Sequence, residues 1–242
     1  MDNEGGAQFD AYTGDYSEHV DNSIKFSGQS TEFFHRVKVN LLLAILSRYH
    51  NVQDASALDI GCGTGSLAEL IAPRTGKLTG VDISVKSIEQ ARHRVPMGEF
   101  EAYDGAVLPF ESDSFDFAFT SCVMHHVPPQ DWPRFVSEMV RVLRPGGVAT
   151  VIEHNPWNPL TRVAVANCEF DEDAVLLSRG KTRQLFRNAE LEIVESPFIL
   201  FFPFDAKPFR MIEKWLVPLP FGAQYIVVGR KPHANQEKCL SS

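Results

Sequence analysis

A short apolar run, Ala57–Ile60, leads directly into Gly61-Cys62-Gly63-Thr64-Gly65, and a helical stretch follows from Ser66 to Ala72. Three glycines between a strand and a helix confine the chain to a tight strand–turn–helix corner. Glycine turns the backbone sharply without a side-chain clash, so the corner lets a ligand come close just before the helix N-terminus. The dinucleotide version of this corner needs a third glycine at position 66, where Ser66 stands. The phosphate-loop version needs a Gly-Lys-Ser/Thr ending, which is also missing. Taken alone, the corner is weak evidence, and a purely structural turn is the lesser, competing reading.

The chain around it alternates strands with helices. Leu78–Val81 reads as a strand and Val85–Arg94 as a helix stopped by Pro96. Phe100–Tyr103 is a third strand, and Phe115–Phe119 a fourth, apolar except for Asp116. Trp132, Phe135, Val136, Met139, Val140 and Leu143 make one apolar helix face, closed by Pro145-Gly146-Gly147. Val148–Ile152 is a fifth strand. Continuously apolar strands alternating with helices predict an α/β fold with a parallel sheet buried on both faces. Phe34, Val37, Leu41 and Ile45 predict a helix over about 32–49. Towards the C-terminus, 155–170 reads as a loop with a short helix, 182–188 as helix, 191–202 as a sixth strand, 208–216 as helix and 223–229 as the last strand. The chain is expected to be one domain over 1–242, with a cap at 1–50, a core at 51–154 and further elements at 155–242.

Two acids sit where a nucleoside would need them. Asp82 ends the second strand, about 20 residues beyond Gly61, the spacing at which a carboxylate accepts from a ribose diol. Asp104-Gly105 follows the third strand, where a carboxylate can accept from an adenine amino group. Each acid alone could be a solvated strand end, but three strand ends agree.

Composition narrows the partners. The 242 residues are 44% hydrophobic and carry a formal net charge of −8. An acidic surface is a poor match for phosphate backbones, so no nucleic-acid partner is expected. Cys62, Cys122, Cys168 and Cys239 form no CxxC pair or zinc spacing, so reduced thiols and no metal are expected. Met1-Asp2-Asn3-Glu4 lacks signal-peptide character, and no apolar run reaches the about 20 residues of a membrane span, so a cytoplasmic protein is expected. The tail Cys239-Leu240-Ser241-Ser242 is a poor prenylation box, since Ser241 takes an aliphatic position and no strong polybasic run precedes it.

Leu58–Gly65, Val81–Ser84, Asp104–Phe110, Phe115–Val127 and Arg141–Gly147 together resemble the class I S-adenosylmethionine-dependent methyltransferases, in the broad group of ubiquinone and menaquinone methyltransferases. The resemblance spans about residues 55–153. It implies a Rossmann-like, mostly parallel seven-stranded sheet with helices on both faces, an antiparallel last strand and an N-terminal helical cap. It implies S-adenosylmethionine as cofactor, with Asp59, Gly61 and Gly63 flanking its methionine part. Asp82 would hold the ribose, Ile83 would pack on adenine, and Asp104 with the Gly105 amide would read adenine. Thr120 would offer its carbonyl near the methionyl amine. Tyr16 joins this set from the aromatic–polar segment 9–30, which is expected to act as a lid.

His125, in Met124-His125-His126-Val127, resembles the base of some small-molecule O-methyltransferases, and His154 is a second candidate base. The competing reading of His125 and His126 is packing and second-shell hydrogen bonding. Glu153-His154-Asn155-Pro156-Trp157 is only superficially similar to the motif of amino-group DNA methyltransferases, which belongs after the fourth strand. The expected activity is methylation of a small-molecule acceptor, in the first place at oxygen. C- or N-methylation and a non-catalytic cofactor-binding subunit are the alternatives. The oligomeric state is not readable.

Overall fold

Ala57 and Leu58 are chain neighbours and both fully buried, yet they lie in different hydrophobic layers. Period-two alternation demands this of a strand covered on both faces. The structure, a computed structural model, describes residues 30–168, 171–202 and 219–233. Its helices are α1 (Thr31–Leu46), α2 (Ser66–Ile71), α3 (Val85–Arg94), α4 (Trp132–Val142), α5 (Pro159–Ala166) and α6 (Arg179–Asn188). Its strands are β1 (Ser56–Ile60), β2 (Lys77–Asp82), β3 (Glu99–Ala102), β4 (Phe115–Ser121), β5 (Leu143–His154), β6 (Glu192–Glu195), β7 (Phe198–Ile199) and β8 (Gln224–Arg230). Single 3-10 turns occupy Ala72–Arg74 and Met124–His126.

All these strands join one sheet in the order β3-β2-β1-β4-β5-β8-β6, with the two-residue β7 paired to β8. Strands β1 to β5 run parallel, and β8 runs antiparallel to β5, β6 and β7. The order reverses between β1 and β4. At such a switch point the chain leaves neighbouring strands in opposite directions and opens a crevice at their carboxyl ends.

One layer of the core sets Val39 and Leu42 of α1, Ile71 of α2 and Ile88 of α3 against Phe117 and Phe119. The other sets Val136 and Met139 of α4 and Phe186 of α6 against Leu58, Ala118 and Val151. Helix α4 buries Trp132, Phe135, Val136, Met139 and Val142, the three-and-four spacing of one helical face. Helices α3 and α6 begin at Ser84 and Ser178, whose side chains accept the amides of Ser87 and Lys181.

The mostly parallel sheet and the antiparallel last strand agree with the sequence reading, and several boundaries differ, three of them with a consequence for the fold. The strand expected over 191–202 breaks at Ser196-Pro197 into β6 and β7, since proline has no amide for the ladder. Strand β5 begins at Leu143, ahead of Pro145-Gly146-Gly147. Leu143 pairs with Phe115 before the register shifts and resumes at Val148. The first helix ends at Leu46 rather than near 49. Residues 9–29, Tyr16 among them, and the helix expected at 208–216 lie outside the described residues.

Phe119 is fully buried at the sheet centre, whereas Val85 is 53% exposed. Phe119→Ala is expected to cost about 3–5 kcal/mol, and Val85→Ala to stay within about 0.5 kcal/mol. Urea unfolding of both variants checks this, and equal losses would contradict the assigned layering.

Candidate functional site

The glycine corner sits at the crevice. Gly61 and Gly63 adopt φ +78° and +51°, the left-handed region. A methyl group on Gly61 would lie 2.4 Å from a Val123 methyl, so packing as well as backbone demands glycine there. A methyl group on Gly63 would meet nothing within 4 Å among the described residues, so that side of the loop is open to a ligand as far as they reach. The Gly63 amide donates to Asp82 Oδ2 at 2.8 Å, and the Ser84 amide donates to Asp82 Oδ1 at 2.9 Å. One half-buried carboxylate thus ties the turn after β1 to the end of β2.

Asp59 lies below the corner, 1% exposed, and its Oδ2 has no hydrogen-bond partner among the described residues. Burial, and then the Asp82 charge, push its carboxyl up to about 8. An orphaned buried carboxyl beside an open glycine loop suits a cationic ligand group. On the other side of Asp82, Ile83 and Gly105 face each other, and a methyl on Gly105 would come 3.2 Å from Ile83 Cγ2. Asp104 Oδ1 accepts the amides of Val107 and Ala106, which hold its carboxyl below the usual range. Beside it is a small pocket lined by Ile60, Tyr103, Gly105, Ala106, Leu108 and Phe135. Seven of the sequence-predicted cofactor residues, Asp59 to Gly105, therefore converge on the ends of β1, β2 and β3. Thr120 is fully buried near the end of β4.

The face after β4 and β5 is organised by Glu153, which is fully buried. Its Oε1 accepts the amides of Val123 at 2.9 Å and Met124 at 2.7 Å. Its Oε2 lies 2.7 Å from His125 Nδ1 and also accepts the His154 amide. On the opposite edge of the His125 ring, Nε2 lies 3.3 Å from Asp171 Oδ1, and His126 Nε2 approaches the same oxygen at 3.4 Å. Burial pulls the His125 imidazole down, but the Glu153 charge and the bonds to Asp171 and Glu153 outweigh it and lift it to about 10. Burial and the neighbouring His125 charge push His126 down to about 4.

This arrangement weighs against His125 as the base. Its ring is enclosed, with Glu153 at one nitrogen and Asp171 at the other, and the two carboxylates favour its protonated form. His154 is half-buried, with its ring 5.0 Å from that of His125. Glu153, Asp171 and Lys38 were not singled out from the sequence. Glu153 had one signal, a carboxylate at the end of an apolar strand. Asp171 stands in the run Asp171-Glu172-Asp173 and had none.

Cys122 takes φ +58°, and its thiol accepts from Lys38 Nζ and Gln224 Nε2, both at 3.2 Å. Burial raises the thiol, but the Lys38 charge, then His154, bring it down to about 6. Lys38 is a buried lysine of α1, so this helix reaches the site through it.

A glycine corner and strand-end carboxylates at a switch-point crevice define a Rossmann-like protein built to hold a nucleoside cofactor. Residues 57–147 match the family model of a methyltransferase domain. An uncharacterized methyltransferase of Synechocystis is 31% identical over 57% of this chain and 74% of its own length. The phthiotriol/phenolphthiotriol dimycocerosates methyltransferase of Mycobacterium leprae is 36% identical over 45% of this chain. The chain spans only 41% of that mycobacterial relative's length. A putative methyltransferase solved in complex with the Haloferax volcanii Trm112 activator shares the fold, with a TM-score of 0.65 at 22% identity over 93% of this chain and 98% of its own. The chain belongs to the class I S-adenosylmethionine-dependent methyltransferases. Its residues fit that cofactor: the orphaned Asp59 oxygen suits an ammonium group, and the Asp82 carboxylate at the end of β2 suits a diol.

Asp59 yields a pH prediction. Its folded value lies above its ordinary 3.8, so the stability it confers is full below about pH 3.8 and is lost as pH rises towards about 8. Asp59→Asn removes that slope, so the variant is expected to gain on the wild type between pH 5 and pH 8 in urea unfolding without cofactor. A constant difference across that range would show that Asp59 is not held protonated.

Proposed function

We propose that this chain transfers a methyl group from S-adenosylmethionine to a small-molecule acceptor, at a hydroxyl oxygen. The observation that carries the reading is the Asp82 carboxylate joining the Gly63 and Ser84 amides at the switch point, beside the orphaned Asp59. The bound cofactor supplies an already activated methyl group, which leaves the protein mainly a positioning task. In this reading Asp82 holds the ribose, Ile83 and Gly105 bracket the adenine, and Asp104 reads its amino group. Asp59 and the Gly61–Gly63 turn meet the methionine part, with the Thr120 carbonyl beside its amine.

The acceptor is placed against the cluster after β4 and β5, where Glu153 fixes the Met124–His126 turn and His154 is the accessible imidazole. The mycobacterial relative acts on phthiotriol dimycocerosates, which supports a small-molecule acceptor here. The polar cluster favours a hydroxyl over a carbon acceptor. A non-catalytic cofactor subunit is disfavoured by the intact glycine loop and Asp82.

The test is a screen of the purified chain with radiolabelled S-adenosylmethionine against pooled hydroxylated metabolites. Calorimetry with S-adenosylhomocysteine should show Asp82→Ala weakening binding by about 1–3 kcal/mol, since ribose hydroxyls lose a charged acceptor. Binding of NADH in its place would sink the assignment. Once an acceptor is found, His154→Gln should lower turnover about 10²–10⁴-fold with cofactor affinity nearly intact. Near-native turnover in that variant, with chemistry rate-limiting, would move the acceptor hydroxyl away from this cluster.

A further inference from the structure

We propose that His125, His154 and Asp171 form a binding site for a divalent first-row transition ion of the zinc class. One donor atom from each residue lies within 4.8 Å of the others. His125 Nε2 and Asp171 Oδ1 are 3.3 Å apart. Two donors each about 2.1 Å from a shared tetrahedral ion lie about 3.4 Å apart, so this pair already has the separation that an ion between them sets. His154 closes the set from the end of β5 by a small adjustment of a half-buried side chain.

The surroundings are those of an oriented ligand. Glu153 stands behind His125 at 2.7 Å from Nδ1 and is itself fixed by the amides of Val123, Met124 and His154. A carboxylate behind one ring nitrogen fixes the tautomer and turns the other nitrogen's lone pair outward, as for metal-bound histidines. Nε2 faces an Asp171 oxygen at 3.3 Å, a gap that a proton bridges in the ion-free protein and that a bound ion would bridge in its place. His126 Nε2, 3.4 Å from the same oxygen, steers Asp171 from the other side. Two imidazoles and one carboxylate with a position left open match zinc and its neighbours in donor type. The donors come from the turn after β4, the end of β5 and the segment between α5 and α6, so no local sequence spacing announces them.

This inference rests on the acceptor face proposed above and deepens it. The position left open by three protein donors is where an acceptor oxygen binds, which selects hydroxylated acceptors; with the ion bound, His154 acts on the acceptor as a ligand of that ion rather than as a free base.

Titration of the chelator-treated full chain with Co²⁺, followed by visible absorption, tests it. One equivalent is expected to bind with the absorption of a four- or five-coordinate ion, and Zn²⁺ should displace it. His154→Gln and Asp171→Asn should each weaken binding about tenfold or more, while His93→Gln, on the exposed face of α3, should not. S-adenosylhomocysteine affinity should be unchanged in all variants, which shows that they fold. Absence of saturable Co²⁺ binding, or equal binding by all four proteins, overturns the proposal and leaves a proton as the charge between His125 and Asp171. Methyl transfer measured in that case would uphold the proposed function and remove only the ion. Stoichiometric Co²⁺ binding without detectable transfer would do the reverse.

Discussion

The Glu153 carboxylate holds the two halves of the site together. It is fully buried, so its charge must be met by donors, and it has four: three backbone amides and the His125 ring. A buried carboxylate with such partners stays ionised, since their loss would leave a charge without solvent. Burial raises Glu153, but the His125 charge and bond reverse this and hold it at about 2. The cost of burial is thereby turned into a geometric constraint. The chain after β4 has to place Val123, Met124 and His125 where that carboxylate can be satisfied.

The constraint reaches the cofactor side through Val123. Its amide is bound by Glu153, and its methyl groups fill the space that a Cβ on Gly61 would occupy. The glycine corner is therefore shaped from two directions, by Asp82 through the Gly63 amide and by Glu153 through Val123. Both carboxylates stand at carboxyl ends of strands, and both accept backbone amides of the turn that follows a neighbouring strand. Rigid strands position the acids, and the acids position the loops, which is how a mobile kind of segment can hold a precise site.

What was legible in the sequence follows from range. The corner Gly61–Gly65, Asp82 and Asp104 are each set by a strand, a turn and a helix contiguous in the chain, so their spacing carries the signal. The alternation of apolar runs with helical stretches likewise exposed the sheet buried on both faces. The acceptor side is assembled from α1, the turn after β4, the end of β5 and the segment holding Asp171. No periodicity links Lys38 to Cys122 or Asp171 to His125, because only the tertiary fold brings them together. The break at Ser196-Pro197 was readable in principle, since proline cannot give its amide to a ladder, but the apolar content of 191–202 outweighed it.

The paired histidines show how burial decides a role that residue type leaves open. A 3-10 turn over Met124–His126 points Met124 and His125 into the protein, and both are buried. His126 is half-buried, and burial, with the neighbouring His125 charge added to it, lowers its basicity. Of the two rings, one is pushed towards its charged form by its carboxylate neighbours, and the other towards neutrality. Chemistry at this face then falls to groups around the pair: His154, reached from solvent at the end of β5, and the Asp171 oxygen that both rings approach. An imidazole next to a methyl-transfer face is a candidate base only if a lone pair is free to face the acceptor. At His125 Nδ1 faces Glu153 and Nε2 faces Asp171, so its contribution is to set where a positive charge sits rather than to carry a proton away.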